Sequence, residues 1–160
     1  MDHPTRALIH LDRLAHNLAL LRELARGRPV WPAIKANAYG HGAIPIAREL
    51  VARGCDTLCV AHPGEALELA ESGVRARFLL MTAALPDASE SIVAHGFEPA
   101  ICTRETAEAL ARAAERAGRR VDELQRGHRG VRVGALDLDD DGIADPHRLR
   151  IDPIGTGRAV

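Results

Sequence analysis

The segment IKANAYGHG at 34–42 concentrates the residue types in this chain that could do chemistry. Of the 21 basic residues, 20 are arginine and one is lysine, and that one is Lys35. A guanidinium stays protonated and cannot act as an amine nucleophile, so lysine stands where amine chemistry would need it. The alternative is a coding preference for arginine with one surviving lysine. A lysine amine near its ordinary pKa of about 10.4 is protonated and inert, and burial at a strand end lowers that value. Condensation with an aldehyde removes the difficulty and holds the aldehyde at a rigid position. Tyr39, four residues on, offers a hydroxyl to a phosphate oxygen. The pair suits a carbonyl cofactor that carries a phosphate; the plainer reading is a snorkelling lysine beside a packed tyrosine.

The elements that must position Lys35 follow from a rhythm of glycines. Gly27, Gly54, Gly73, Gly96 and Gly118 each end an amphipathic stretch and precede a short apolar one. Glycine is favoured just past a helix because the chain there often turns left-handed. The apolar stretches predict strands over 30–35, 57–61, 77–81 and 99–102. Lys35 is then the last residue of the first strand. In the first helix Asp12 is placed to cap, with Leu14, Leu18, Leu21 and Ala25 on one face. In the fourth, Thr103 caps and Ala107, Leu110, Ala111 and Ala114 form a small-residue face. Short strands alternating with helices imply parallel pairing through right-handed crossovers, hence an α/β fold. Periodicity alone does not say whether the sheet closes into a barrel or stays open. Either way, ligands bind at the C-terminal ends of the strands.

Composition narrows the function classes. At 160 residues the chain is one domain that buries roughly 70% of its unfolded surface. A net charge of −1 with no basic stripe excludes nucleic acid as a partner. No apolar run approaches membrane-spanning length and the start, MDHPTRALIH, is not a secretory signal, so no membrane is expected and the location is cytoplasmic. Cys55, Cys59 and Cys102 fit no zinc spacing and are expected as buried thiols.

Three stretches, LIHLDRLAHNLALLREL at 8–24, RPVWPAIKANAYGHGAIPIARELVARGCDTLCVAHPGEALELAESGVRARFLL at 28–80 and GFEPAICTRETAEALARAAERAG at 96–118, resemble the first part of the bacterial alanine racemases. The resemblance implies a pyridoxal 5'-phosphate (PLP) enzyme that interconverts L- and D-alanine, supplying D-alanine for peptidoglycan. It also implies a (β/α)8 TIM-type barrel followed by a C-terminal β domain, working as a head-to-tail homodimer on a small-molecule substrate, alanine. Lys35 matches the family's catalytic, cofactor-binding lysine, which forms the Schiff base and serves as base on one face of the substrate. Tyr39 matches the tyrosine that bonds the cofactor phosphate. No metal is implied.

The departures define the rest of the expectation. Family members use a second base, a tyrosine from the partner subunit's C-terminal domain, and the only tyrosine here is Tyr39. Such a barrel typically needs about 250 residues. The reading is therefore a partial barrel of about four βα units over 1–120, with a divergent, irregular tail over 121–160, truncated or altered after about residue 118. Racemisation is expected to be impaired. A PLP-binding protein without racemase activity and an inactive remnant are the alternatives.

Weaker signals lie elsewhere. DLDDDG at 137–142 places Asp137, Asp139, Asp141 and Gly142 as in the front half of a calcium loop, but position twelve is Arg148 where glutamate is required. The segment 131–136 could form a strand. His41 and His62 could face the site as proton-transfer groups, although loop or core roles are commoner. HPGE at 62–65 supplies too few ligands for a metal.

Overall fold

The computed structural model describes residues 7–119. A first helix, α1 (Leu11–Leu24), precedes four repeats of an extended segment and a helix. The first repeat is a short extended segment at 32–34, a single turn α2 (Lys35–Tyr39) and α3 (Ala43–Ala52). Then come β1 (Thr57–Val60) with α4 (Pro63–Glu71), β2 (Arg77–Ala83) with a 3-10 turn (Pro86–Ala88) and α5 (Ser89–His95), and β3 (Glu98–Ala100) with α6 (Arg104–Arg116).

All pairings are parallel, in the order β1-β2-β3, and Ala33 bridges Cys59 on the outer edge of β1. Strand order therefore follows chain order without reversal. Right-handed crossovers between strands laid down in one direction put every connecting helix on one face. Burial agrees: Ile34, Leu58, Val60, Phe78, Leu80 and Phe97 alternate onto one face and join the main core with Ile46, Leu50, Leu69, Ile92 and Leu110. The other face carries the aligned row Ala33, Cys59, Leu79 and Glu98. Phe78 and Phe97 meet edge to face with ring centroids 5.9 Å apart.

The predicted α/β class with parallel strands is what the chain adopts, and the five glycines all lie at positive φ, from +62° at Gly118 to +88° at Gly73. The first predicted strand, 30–35, is reduced to one bridge. Pro32 has no N–H to give a ladder, and the chain leaves the extended region at Ile34, whose ψ is 22°. Lys35 is thus the first residue of a turn, where the last of a strand was expected. Strand β3 lies at Glu98–Ala100, starting one residue earlier and ending two residues earlier than predicted.

The Asp12 cap is also corrected. His10 occupies the cap position without a side-chain bond, and Asp12 sits inside the first turn, where its charge meets the positive end of the helix dipole. On α1 only Leu18 is buried, while Leu21 is exposed, because helices and sheet cover a narrower stripe than the periodicity implies. Thr103 does cap α6, accepting from Thr106 N–H at 3.2 Å. The buried Thr106 hydroxyl donates onward to Ala84 O at 3.0 Å, tying α6 to the end of β2.

The arginines have structural work that lysine would do less well. Arg22 donates to Arg53 O at 2.6 Å, Arg48 to Ser72 O at 2.9 Å, and Arg119 to Val93 O, each at the carbonyl end of a neighbouring helix. A cation there satisfies orphan carbonyls and complements the dipole, and the planar guanidinium does so with several donors. Cys55 and Cys59 are buried as expected, but Cys102 is exposed, since it follows β3 in the loop leading to the α6 cap. The 131–136 segment, the 137–142 acidic loop and the 121–160 tail lie outside the described residues.

Candidate active site

The turn Lys35–Tyr39 has the wrong hand. Ala36, Asn37, Ala38 and Tyr39 all lie between φ +52° and +55°, a run of left-handed conformation in residues that carry a Cβ. Each such residue costs about 1–2 kcal/mol relative to the right-handed form, asparagine less than most. A turn of this kind persists only where its surroundings over-determine it.

Those surroundings can be named. Ala38 N–H donates to Ile34 O at 2.8 Å and Gly40 N–H to Ala36 O at 3.0 Å, closing the turn on itself. The Asn37 carbonyl Oδ1 accepts from Ala43 N–H at 2.7 Å, satisfying the first amide of α3 from outside the helix. Gly42 N–H donates to Asn37 O, and a ring nitrogen of His41 bonds Ala38 O at 2.8 Å. Glu65, third residue of α4, accepts from Ala36 N–H on Oε1 and from Ala61 N–H on Oε2, both at 2.7 Å.

Lys35 opens this turn and Tyr39 closes it. Lys35 is partly buried and makes no ion pair among the described residues, while Tyr39 is 59% exposed. Both sit at the C-terminal edge of the sheet, level with Ala61 after β1. Thr82, near the end of β2, binds Ala61 O through its amide and its hydroxyl, so this edge is cross-tied.

His41 belongs to the turn's own bonding, and His62 is the exposed cap residue of α4. Sequence reasoning dismissed HPGE as too poor for a metal and so passed over Glu65. Its signal was available: Pro63 at the first helical position and glutamate two residues on mark a helix start whose side chain reaches backwards.

On the face opposite the helices, Arg77 pairs with Glu98 at 2.7 Å. Burial pushes the Glu98 carboxyl above the usual carboxylate range, against the pull of the Arg77 hydrogen bond and charge. Burial also raises the Cys59 thiol, with the Glu98 charge adding to the effect, and raises Cys55 against the opposing charge of Arg22.

Singly wound parallel strands, with the one lysine at their C-terminal edge, define an α/β protein whose chemistry-bearing residues sit where such folds bind ligands. Over 113 residues the chain is 35% identical to the alanine racemase of Carboxydothermus hydrogenoformans, covering 71% of this chain and 31% of that one. The solved alanine racemase of Clostridium difficile 630 in complex with cycloserine superposes with a TM-score of 0.68 at 31% identity, over 74% of this chain and 32% of that one. The Bartonella henselae alanine racemase, solved with covalently bound pyridoxal phosphate, superposes with a TM-score of 0.62 at 27% identity, over 69% and 31% of the two chains. The chain belongs to the alanine racemase family, matching the "Alanine racemase, N-terminal domain" over residues 9–125. It spans about a third of the length of these relatives.

Proposed function

We propose that residues 1–120 form the cofactor-holding part of an alanine-racemase-type barrel, with PLP carried on Lys35. The observation that carries this reading is the placement of the chain's one lysine: partly buried, without an ion-pair partner among the described residues, in a strained turn at the sheet's C-terminal edge. The residues fit the group, since a lysine with no carboxylate partner among the described residues is available to an aldehyde, and the exposed Tyr39 hydroxyl is available to a phosphate. When bound, PLP supplies the electron sink that makes an amino-acid α-proton acidic. Lys35 Nζ would hold the cofactor and would move the α-proton on its own face. Tyr39 would donate to a phosphate oxygen.

The partial-barrel reading is supported by strand order that never reverses and by helices confined to one face. The substrate is alanine, and the setting a cytoplasmic one; no helix among the described residues is long and apolar enough to cross a membrane. Because the sequence holds no tyrosine besides Tyr39 to serve as the opposing base, the 160-residue chain holds PLP and racemises alanine slowly at best. The segment 121–160 stands as a divergent extension outside this unit.

The test is PLP titration of the 160-residue chain, borohydride reduction and peptide mass spectrometry. PLP is expected on the peptide containing Lys35, and Lys35→Ala removes that label without lowering Tm by more than a few degrees. A label confined to the N-terminal amine, or one that survives in Lys35→Ala, overturns the reading. Turnover of alanine at the rate of a full-length racemase overturns the activity statement alone.

A further inference from the structure

We propose that Glu65 is the positioning residue for Lys35: its carboxylate replaces a missing rung of the sheet and thereby sets the direction in which the lysine leaves the strand. The proposal rests on the reading that Lys35 carries PLP and names what orients it. In the pairing of Ala33 with Cys59, Cys59 N–H donates to Pro32 O and Ile34 N–H to Cys59 O, both at 2.8 Å. A parallel ladder repeats every two residues. Its next rung would send Ala61 N–H to Ile34 O and Ala36 N–H to Ala61 O.

Neither bond forms. Ile34 O is taken by Ala38 N–H inside the left-handed turn, and Ala61 O by Thr82. The two stranded donors, Ala36 N–H and Ala61 N–H, both go to Glu65, one on each oxygen at 2.7 Å. Glu65 is itself fixed on the first turn of α4 behind Pro63. Lys35 therefore lies between two pinned peptides, with Ile34 O held by Ala38 N–H and Ala36 N–H held by Glu65. The chain can peel away from β1 into a turn of opposite hand without leaving either of these two amides unsatisfied, and the Lys35 Cα–Cβ direction is set by bonds on either side.

The chemistry demands a carboxylate. Both partners are N–H donors, so a group with two acceptor oxygens satisfies them, whereas an amide turns its NH2 against one of them. Aspartate is one methylene shorter and reaches one of the two.

The test compares Glu65→Gln, Glu65→Asp and wild type in the 160-residue chain. The readouts are PLP affinity at Lys35, from titration and borohydride mapping, and amide hydrogen exchange by NMR. One lost charge-assisted hydrogen bond corresponds to roughly a tenfold to hundredfold effect. Glu65→Gln is therefore expected to weaken PLP retention on Lys35 about tenfold or more and to speed exchange at Ala36 or Ala61 by a similar factor. Protection at Leu58 and Leu80 stays unchanged. Equal loss of protection at Leu58 and Leu80 would mark Glu65 as a general stabiliser and overturn the proposal, as would unchanged PLP affinity beside faster exchange at Ala36. If wild type takes no PLP at Lys35, the cofactor reading falls, and the proposal then stands only if exchange at Ala36 or Ala61 rises alone in Glu65→Gln.

Discussion

On one face of the sheet, Ile34, Leu58, Val60, Phe78, Leu80 and Phe97 are each at most 4% exposed. On the other, Thr57 and Cys59 of β1 are buried, but Ala33, Leu79, Arg77 and Glu98 are only half-buried and Met81 is 49% exposed. The same strands supply both faces, so the difference is in what covers them: the described helices lie on one face only. Parallel sheets are ordinarily covered on both faces. The covered face holds the fold together. The open one carries an ion pair, a thiol and a methionine, and it shares its C-terminal edge with Lys35.

Adjacent residues of β2 give the sharpest way to break this comparison. Leu80→Ala is expected to lose about 2–5 kcal/mol in denaturant unfolding, the range for truncating a buried leucine. Met81→Ala, one residue along and on the opposite face, should lose less than about 1 kcal/mol. Equal losses would mean that both faces are packed. Thr106→Val comes next: it keeps the volume but leaves Ala84 O without its hydroxyl donor, for an expected loss of about 1–3 kcal/mol.

Thiol labelling sharpens the contrast by rate instead of stability. Cys102 should react with a disulfide reagent at the rate of an exposed thiol, while Cys55 and Cys59 react about a hundredfold more slowly, because burial both raises their pKa and blocks access. Three fast thiols in the native chain would contradict the packing.

The smallest effect is a pH dependence at Glu98. Its carboxyl is raised in the folded protein, chiefly by burial, so between its ordinary value and the raised one the folded state binds more protons than the unfolded. Stability from this group is fully present below the ordinary value and is lost as pH rises through the raised one. Glu98→Gln should flatten that fall in Tm over the same window, and a fall of undiminished slope would assign it to another group.

Much of this was legible in the chain. The five glycines marked helix ends because each sits at a positive φ that other residues avoid, and Thr103 marked a helix start because its hydroxyl meets an orphan amide. The family's lysine loop was legible as a word. Its geometry was not: alanine, asparagine and tyrosine have no ordinary preference for a left-handed run, so Ala36 to Tyr39 are held that way by bonds within the loop and by one partner distant in sequence. Glu65, 29 residues beyond Ala36, is the plainest case, since no local pattern announces which amides its carboxylate will meet. Leu21 failed for a related reason, because periodicity gives the apolar face of a helix but not the width of the surface that receives it.

The left-handed run has a consequence for the chirality of its own building blocks. Reflected in a mirror, Ala36 to Tyr39 would be an ordinary helical turn, so these are positions at which the enantiomer of the natural residue is the relaxed one. A semisynthetic chain with D-alanine at 36 and 38 should therefore hold this turn more firmly than the natural chain does.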